Sequence, residues 1–215
     1  MEQPQIKIYI GEIDKWAGIY QAEERAETIC GRLLLLYGLL RLKEGQELFL
    51  ADTLTEAYQK LKEQLVYGTH GKPALSDSFF PHFNISHSGK YAVCALSEVP
   101  CGIDIQEKKE LRNHRIFEKI LSEKEQNEVL FSTDKAAAFY KYWARKESFL
   151  KLTGQGITVD LREISKPVWQ EDFTLKEAYA GCISADTACQ VTYEHILPFD
   201  PVSYTHLTLP TTSRV

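Results

Sequence analysis

Three short segments carry side chains that could do chemistry together. In CGIDIQE, Asp104 and Gln106 stand two residues apart, which places both on one face of a strand at a spacing of about 7 Å. Their oxygen atoms suit Mg²⁺, which takes one or two carboxylates and completes its shell with water or phosphate oxygens. An aspartate that accepts hydrogen bonds in a turn gives the same local pattern, so this segment alone leaves both interpretations open.

The second segment is KAAAFYKYWARKESFLKLTG, whose helical spacing puts Phe139, Trp143 and Leu150 on one apolar face. Glu147 and Lys151 are four residues apart at the edge of that face. They could serve a site, or they could form a surface ion pair worth a few tenths of a kcal/mol.

The third segment, HFNISHSGKY, combines hydroxyls, an imidazole and a glycine where a strand is expected to give way to a turn. Ser86, His87 and the backbone amides near Gly89 could hold a phosphate. A serine-rich and glycine-rich hairpin turn is the alternative.

The elements that must position these segments alternate between helices and strands. Period-two patterns predict strands at 6–10, 83–88, 91–97 and 101–106, and period-3.6 patterns predict helices at 22–42, 54–66, 115–121 and 135–152, with another starting near 130. The stretch 68–80 is expected to be a loop, Gly154 and Gly156 are expected to end the long helix, and three strands follow at 164–170, 173–180 and 189–196. We therefore expect an α+β fold made of two similar halves, each with helices packed on a small antiparallel sheet, and the site between them.

Composition limits the classes of function. The 215 residues are 44% hydrophobic and carry a net charge of −5, which argues against a generally basic nucleic-acid binder. Five cysteines without zinc-like spacing are expected to be reduced core thiols. No signal peptide or membrane-spanning run is apparent, so we expect a cytoplasmic protein. The tail 201–215 differs in composition from the rest of the chain and is interpreted as non-native or disordered.

The three segments, taken in order, resemble the Sfp-type (surfactin-synthetase-activating) family of 4'-phosphopantetheinyl transferases. The resemblance runs from about Tyr67 to Ile157 and includes GKP, FNISHSG, GIDIQ, FEKILSEKE and WARKESFLKLTGQGI. It implies a monomeric enzyme with two pseudo-symmetric halves, an N-terminal half (1–102) that binds coenzyme A and a C-terminal half (103–200) that holds the metal.

The same resemblance implies roles for individual residues. Asp104 and Glu147, with Gln106 as a weaker candidate, would bind Mg²⁺. The phosphates of coenzyme A would contact Lys72, Ser86, His87 and Lys151, and the nucleotide would contact Arg25 and Thr28. A serine of an apo acyl or peptidyl carrier protein would attack the β-phosphorus of coenzyme A and release 3',5'-ADP, with Glu147 accepting its proton and Lys151 assisting.

Two features modify this expectation. Many relatives have Glu where this chain has Gln106, which removes a negative charge from the metal site and keeps a non-catalytic coenzyme A binding protein open as an alternative. A metal-dependent phosphodiester hydrolase is the less favoured alternative. The cationic stretch Lys108, Lys109, Arg112, Arg115 and Lys119 could attract an acidic carrier, or it could be an ordinary solvated helix flank.

Overall fold

A computed structural model describes residues 3–16, 24–111, 115–156, 160–164 and 169–198. The helices are α1 (Ile13–Trp16), α2 (Ala26–Leu40), α3 (Lys43–Phe49), α4 (Leu54–Gln64), α5 (Arg115–Ile120), α6 (Glu123–Phe131) and α7 (Lys135–Thr153). The strands are β1 (Gln5–Glu12), β2 (Leu65–Tyr67), β3 (Pro73–Leu75), β4 (His82–Ser88), β5 (Tyr91–Ser97), β6 (Cys101–Glu107), β7 (Trp169–Leu175), β8 (Tyr179–Ala185) and β9 (Gln190–His195). The chain therefore has an α+β fold, as expected.

The first sheet has the strand order β4-β5-β1-β9 and carries helix α2 on one face. The strand β1 alternates in side-chain direction, so Tyr9 faces α2 while Ile8 and Ile10 face the opposite side. Glycines allow the close approach of α2, because a Cβ at Gly38 would collide with the ring of Tyr9.

The second sheet has the order β6-β8-β7 and is antiparallel throughout. Helix α7 lies across one face of it. The helix begins at Asp134, whose side chain accepts the Ala137 amide at 2.8 Å, and ends at Gly154 in the left-handed conformation (φ 69°). A Cβ at Gly102 on β6 would collide with the backbone of α7 at Ser148 and Leu152, so this glycine sets how closely the helix approaches the strand.

The two sheets pack face to face through one apolar cluster. Ile8 and Val93 from the first sheet join Ile103, Ile105 and Ile183 from the second. The layers therefore run α2, first sheet, second sheet, α7. Burial of this shared core holds the two sheets together.

Side chains also join the edges of the two sheets. Asn84, Ser86 and Ser88 alternate along β4, and their oxygens accept backbone amides from β6 at 2.8, 3.3 and 2.9 Å. These three polar side chains satisfy donors on an edge strand that would otherwise be buried without partners.

Several expected boundaries differ from the structure. The capping box at Ser122 and Glu125 begins α6 at residue 123, so the expectation of a helix that starts near 130 was wrong. The stretch 68–80 contains β3, which pairs with β2, and the expected second helix ends at Gln64 rather than at residue 66. Residues 176–178 form the turn between β7 and β8 rather than part of one strand.

The largest difference is β9, which pairs in parallel with β1 and so belongs to the first sheet. The expectation that every sheet is antiparallel was therefore wrong for this strand. Its pairing partner lies about 185 residues away, as in Gln5 opposite Gln190, and local periodicity carries no signal of such a pairing.

Two further expectations concern cysteines and membranes. All five cysteines are free and buried, as predicted, and burial raises the pKa of Cys30 and Cys182 to about 12. Among the described residues, none of the helices combines the length and apolarity that a membrane span requires. The tail 201–215 and Arg112 lie outside the described residues.

Candidate active site

The site forms where β4, β6 and α7 meet. Ser86 and His87 lie within β4, not in a turn, so the strand directs them to opposite faces. Ser86 points toward Asp104 and α7, whereas His87 lies on the face that α2 covers. The sequence motif therefore serves two different places in the molecule.

Asp104 is 2% exposed and lies at the centre of a small hydrogen-bond network. Its Oδ1 accepts the Ser86 hydroxyl at 2.9 Å and the Lys151 ammonium at 2.6 Å. Its Oδ2 accepts the side-chain amide of Gln106 at 2.8 Å. The turn-acceptor alternative is thus replaced by a buried carboxylate whose partners come from three different elements.

Lys151 and Glu147 face this carboxylate from α7. Lys151 Nζ also donates to Ser86 Oγ at 2.8 Å, so its partner is Asp104 rather than Glu147. Burial raises the pKa of Glu147, the negative charge of Asp104 raises it further, and Lys151 partly opposes both effects. Two acidic groups in mutual repulsion beside one ammonium form a site that favours additional positive charge.

A cavity of about 220 Å³ opens beside Glu147 and Lys151. Lys72 also lines it, from the loop between β2 and β3. Its ammonium donates to the carbonyls of Leu152 at 3.0 Å and Cys101 at 3.3 Å, and burial lowers its pKa. Lys72 therefore joins the end of α7 to the start of β6 while its side chain stays at the wall of the cavity.

An adjacent cavity of about 370 Å³ shares Gly71, Pro73 and Ile85 with the first. Thr28 and His87 line this second cavity, at the N-terminal end of α2. Burial lowers the pKa of His87, and the charges of Lys151 and Arg25 lower it further against the opposing effect of Glu27 and Asp104. A bound phosphate would act in the opposite direction and favour the imidazolium.

The structure thus brings together most of the predicted residues. The carboxylate centre is formed by Asp104, Glu147, Lys151, Ser86 and Gln106. The first cavity is lined by Lys72, and the second is lined by His87 and Thr28. Arg25 is exposed at the start of α2, close enough to influence His87. The Ser86 hydroxyl is buried and engaged by Asp104, Lys151 and Ile105, so a direct phosphate contact from Ser86 stays a prediction.

Two residues at the site were not anticipated. Arg32 lines the second cavity, one helical turn after Thr28, and contacts Glu24 and the hydroxyl of Tyr67. Asn84 lines the first cavity and holds β6 through the Ile103 amide. The four-residue spacing on α2 and the two-residue spacing on β4 were signals that could have identified both.

The carboxylate centre can be tested as a Mg²⁺ site by its donors. Asp104 and Glu147 repel each other, and the neutral Gln106 already lies beside Asp104. Within the described ranges, no group of three or more His, Cys, Asp or Glu residues could hold a metal. Two carboxylates and space for phosphate oxygens nevertheless fit Mg²⁺, which uses few protein ligands when substrate phosphates supply the others, while Gln106 turns its amide nitrogen toward Asp104.

The fold and the site together define an α+β protein that places two carboxylates and a lysine beside cavities suited to a phosphate ligand. Residues 100–173 match the family described as the 4'-phosphopantetheinyl transferase superfamily. The chain is 30% identical over 176 residues to 4'-phosphopantetheinyl transferase Sfp of Bacillus subtilis (strain 168), covering 79% of this chain and 71% of that protein. It is 36% identical over 156 residues to 4'-phosphopantetheinyl transferase psf-1 of Bacillus pumilus, covering 67% and 66% respectively.

A further relative is the L-aminoadipate-semialdehyde dehydrogenase-phosphopantetheinyl transferase of Saccharomyces cerevisiae, 29% identical over 178 residues, which cover 76% of this chain and 58% of that protein. The chain belongs to the 4'-phosphopantetheinyl transferase superfamily, and the resemblance seen in its motifs is confirmed. It is therefore an enzyme of the transferase class.

Proposed function

We propose that this chain transfers the 4'-phosphopantetheinyl group from coenzyme A to a serine of an apo acyl or peptidyl carrier protein, requires Mg²⁺ and releases 3',5'-ADP. The observation that supports this most is the convergence of Asp104, Glu147 and Lys151 beside the two adjoining cavities. Family membership supports the reaction, and the geometry supports the role proposed for each residue.

Coenzyme A would occupy the adjoining cavities. The nucleotide would lie near Thr28, Arg25 and His87, and the pyrophosphate would extend toward Lys151 and Lys72. The mostly apolar walls of the second cavity suit a heterocyclic ring, and the cations at its rim suit phosphate.

Asp104 and Glu147 would hold Mg²⁺, with Gln106 as a third and weaker ligand. Bound Mg²⁺ would neutralise negative charge on the pyrophosphate during transfer. Lys151, which lines the first cavity, would stabilise the same charge. The neutral amide of Gln106 lowers the total negative charge of the site compared with a glutamate at this position.

Glu147 would accept the proton of the carrier serine as its oxygen attacks the β-phosphorus. The bond from that phosphorus to the bridging oxygen of 3',5'-ADP breaks as the new phosphodiester forms. Burial and the charge of Asp104 raise the pKa of Glu147 when no cation is bound. A bound cation would oppose that shift, so the proposed role as base rests on the position of Glu147 at the wall of the first cavity.

The acidic carrier would approach the cationic stretch that follows β6. Lys109, Arg115 and Lys119 are exposed there, although Lys109 is also within 3.3 Å of Glu107. We further propose that residues 1–102 and 103–200 form two pseudo-symmetric halves and that the enzyme is a cytoplasmic monomer. The parallel strand β9 would then be an exchange of one strand from the second half into the first sheet.

The test combines the protein with coenzyme A, Mg²⁺ and several apo carriers. Mass spectrometry should detect a phosphopantetheinyl adduct on the carrier serine and stoichiometric 3',5'-ADP. Nucleotide binding without any adduct would favour the non-catalytic coenzyme A binding protein that Gln106 leaves open. Cleavage of coenzyme A without a carrier would favour a hydrolase, which has no denser acidic cluster to support it among the described residues.

A further inference from the structure

A second aspartate lies under helix α7, in the same row of the sheet as Asp104. In the register of the second sheet, Asp104 on β6 and Asp172 on β7 both pair with Cys182 on β8. Directly paired residues of neighbouring strands share a face, so both carboxylates lie on the side that α7 covers. Two steps between strands separate them by about 10 Å.

Helix α7 supplies cations to both aspartates. Lys151 binds Asp104, whereas Arg145 binds Asp172 through two bonds, Nε to Oδ1 at 2.8 Å and Nη2 to Oδ2 at 2.5 Å. Lys141 adds an ion pair to Asp172 at 3.2 Å. The six residues from Arg145 to Lys151 advance the helix by about 9 Å, close to the roughly 10 Å expected between the backbone positions of the two aspartates.

Neutral contacts fix the same stretch of helix. Gln170 on β7 donates from its amide to the carbonyl of Arg145 at 2.8 Å and to Ser184 Oγ at 3.0 Å. Ser148 lies 2.7 Å from Ser184 and also donates to the Arg145 carbonyl at 2.9 Å. Helix α7 is therefore held against β7 and β8 at Arg145 and Ser148, which lie on either side of Glu147 in the sequence.

The electrostatics agree with a firm contact. Burial alone would raise the pKa of Asp172, but the hydrogen bonds and charges of Arg145 and Lys141 hold it below its usual value. The hydrogen bonds that Arg145 donates to Asp172 correspondingly raise the pKa of Arg145. A planar guanidinium that binds a carboxylate with two parallel bonds restricts rotation and sliding more than a single contact does.

We infer that Arg145 and Asp172 are positioning residues, which set the rotation and axial position of α7 so that Glu147 and Lys151 face Asp104. This inference rests on the proposed function, because it assigns the two residues to the geometry of the proposed metal site. Neither residue is among those that line the two cavities. Small displacements of ligating groups are costly, since loss of an interaction that orients a metal ligand commonly weakens metal affinity about 10-fold to 100-fold.

The experiment measures Mn²⁺, as a probe of the Mg²⁺ site, by electron paramagnetic resonance with saturating coenzyme A and no carrier. Asp172→Asn and Arg145→Gln are each expected to weaken Mn²⁺ binding about tenfold, and Arg145→Lys, which keeps the charge but not the paired geometry, is expected to weaken it less. The double variant should be no worse than either single variant, because both remove the same interaction.

The matched control is Arg41→Gln, which removes an arginine that contacts Tyr37 and Glu194 beside α2, away from α7. It should lower the melting temperature without changing Mn²⁺ affinity. Lower melting temperatures of the Arg145 and Asp172 variants with unchanged Mn²⁺ affinity would overturn the inference, as would a wild-type protein that binds no Mn²⁺. A wild type that binds Mn²⁺ but modifies no carrier would instead overturn the proposed function and leave the positioning comparison intact.

Discussion

Asp104 and Asp172 lie in the same row of the second sheet, under α7, and each is bound by a cation from that helix, but their surroundings differ. At Asp172, the cations of Lys141 and Arg145 bind one carboxylate. They stabilise its ionised form and so lower the pKa of Asp172. At Asp104, one lysine serves two acids, Asp104 and Glu147, and the pKa of Glu147 rises. The first arrangement stabilises the helix position. The second leaves two acids with one ammonium, which costs stability and which the proposed function would use as a base and a cation site.

The largest expected effect comes from Glu147, the second acid beside Asp104, which has no counterpart in the contacts described for Asp172. Glu147→Gln should lower the rate of phosphopantetheinyl transfer about 10²-fold to 10⁴-fold, since it removes the proposed base and a charge from the metal site. The melting temperature should stay the same or rise, because the neutral amide no longer repels Asp104. Initial rates by mass spectrometry and thermal melting check this. A rate within a factor of two of the wild type would show that the base is misassigned.

The next effect concerns the close contact between β6 and α7 at Gly102. Gly102→Ala should destabilise the fold by about 1–3 kcal/mol through overpacking, because the added Cβ meets the backbone of α7 at Ser148 and Leu152. Urea unfolding of this variant measures the loss. The control is Gly71→Ala in the loop after β2, where a Cβ would meet no neighbour within 4 Å and only the positive φ of 78° opposes the change. Equal losses of unfolding free energy in the two variants would mean that the close packing of α7 on β6 does not require a glycine at position 102.

A third prediction uses the low pKa of Asp172. Contacts with Arg145 and Lys141 lower the pKa of Asp172 in the folded state. The ionised carboxylate therefore stabilises the fold at any pH above the pKa of an aspartate in the unfolded chain, about 3.9. That stabilisation is lost as the pH falls through the pKa of Asp172 in the folded state. Asp172→Asn should therefore lower stability at pH 7 and flatten its decline in acid. Denaturant titrations from pH 7 to 3 of variant and wild type provide the measurement. Parallel curves for the two proteins would contradict the assignment.

The smallest expected effect is at Gln106, the neutral side chain beside Asp104. Gln106→Glu replaces the amide that donates to Asp104 with a third carboxylate. The variant should need several-fold less Mg²⁺ for half-maximal transfer, and without metal it should melt at a lower temperature because of the added repulsion. Gln106→Ala is the matched control, which removes the hydrogen bond without adding charge. An unchanged Mg²⁺ requirement in the glutamate variant would place position 106 outside the metal site.

The sequence by itself determined the local elements and the identity of the reactive groups. The period of FNISHS and CGIDIQE gave the strands, Gly154 ended α7, and the ordered motifs indicated the family. The capping box of Ser122 and Glu125 is also a local signal, and it places the start of α6 at residue 123. These features depend on neighbours a few residues apart, which is why local pattern is sufficient for them.

Only the tertiary structure decided which groups meet. It paired Lys151 with Asp104 rather than with Glu147 one turn away and engaged the ammonium of Lys72 with the end of α7. It bound Ser86 to the buried Asp104 while placing His87 in the wall of the second cavity. It also placed Asp172 in the same row as Asp104 and inserted β9 beside β1. Such contacts join residues tens to hundreds of positions apart, and they are fixed by sheet register and by the packing of helices on sheets, which no short stretch of sequence encodes.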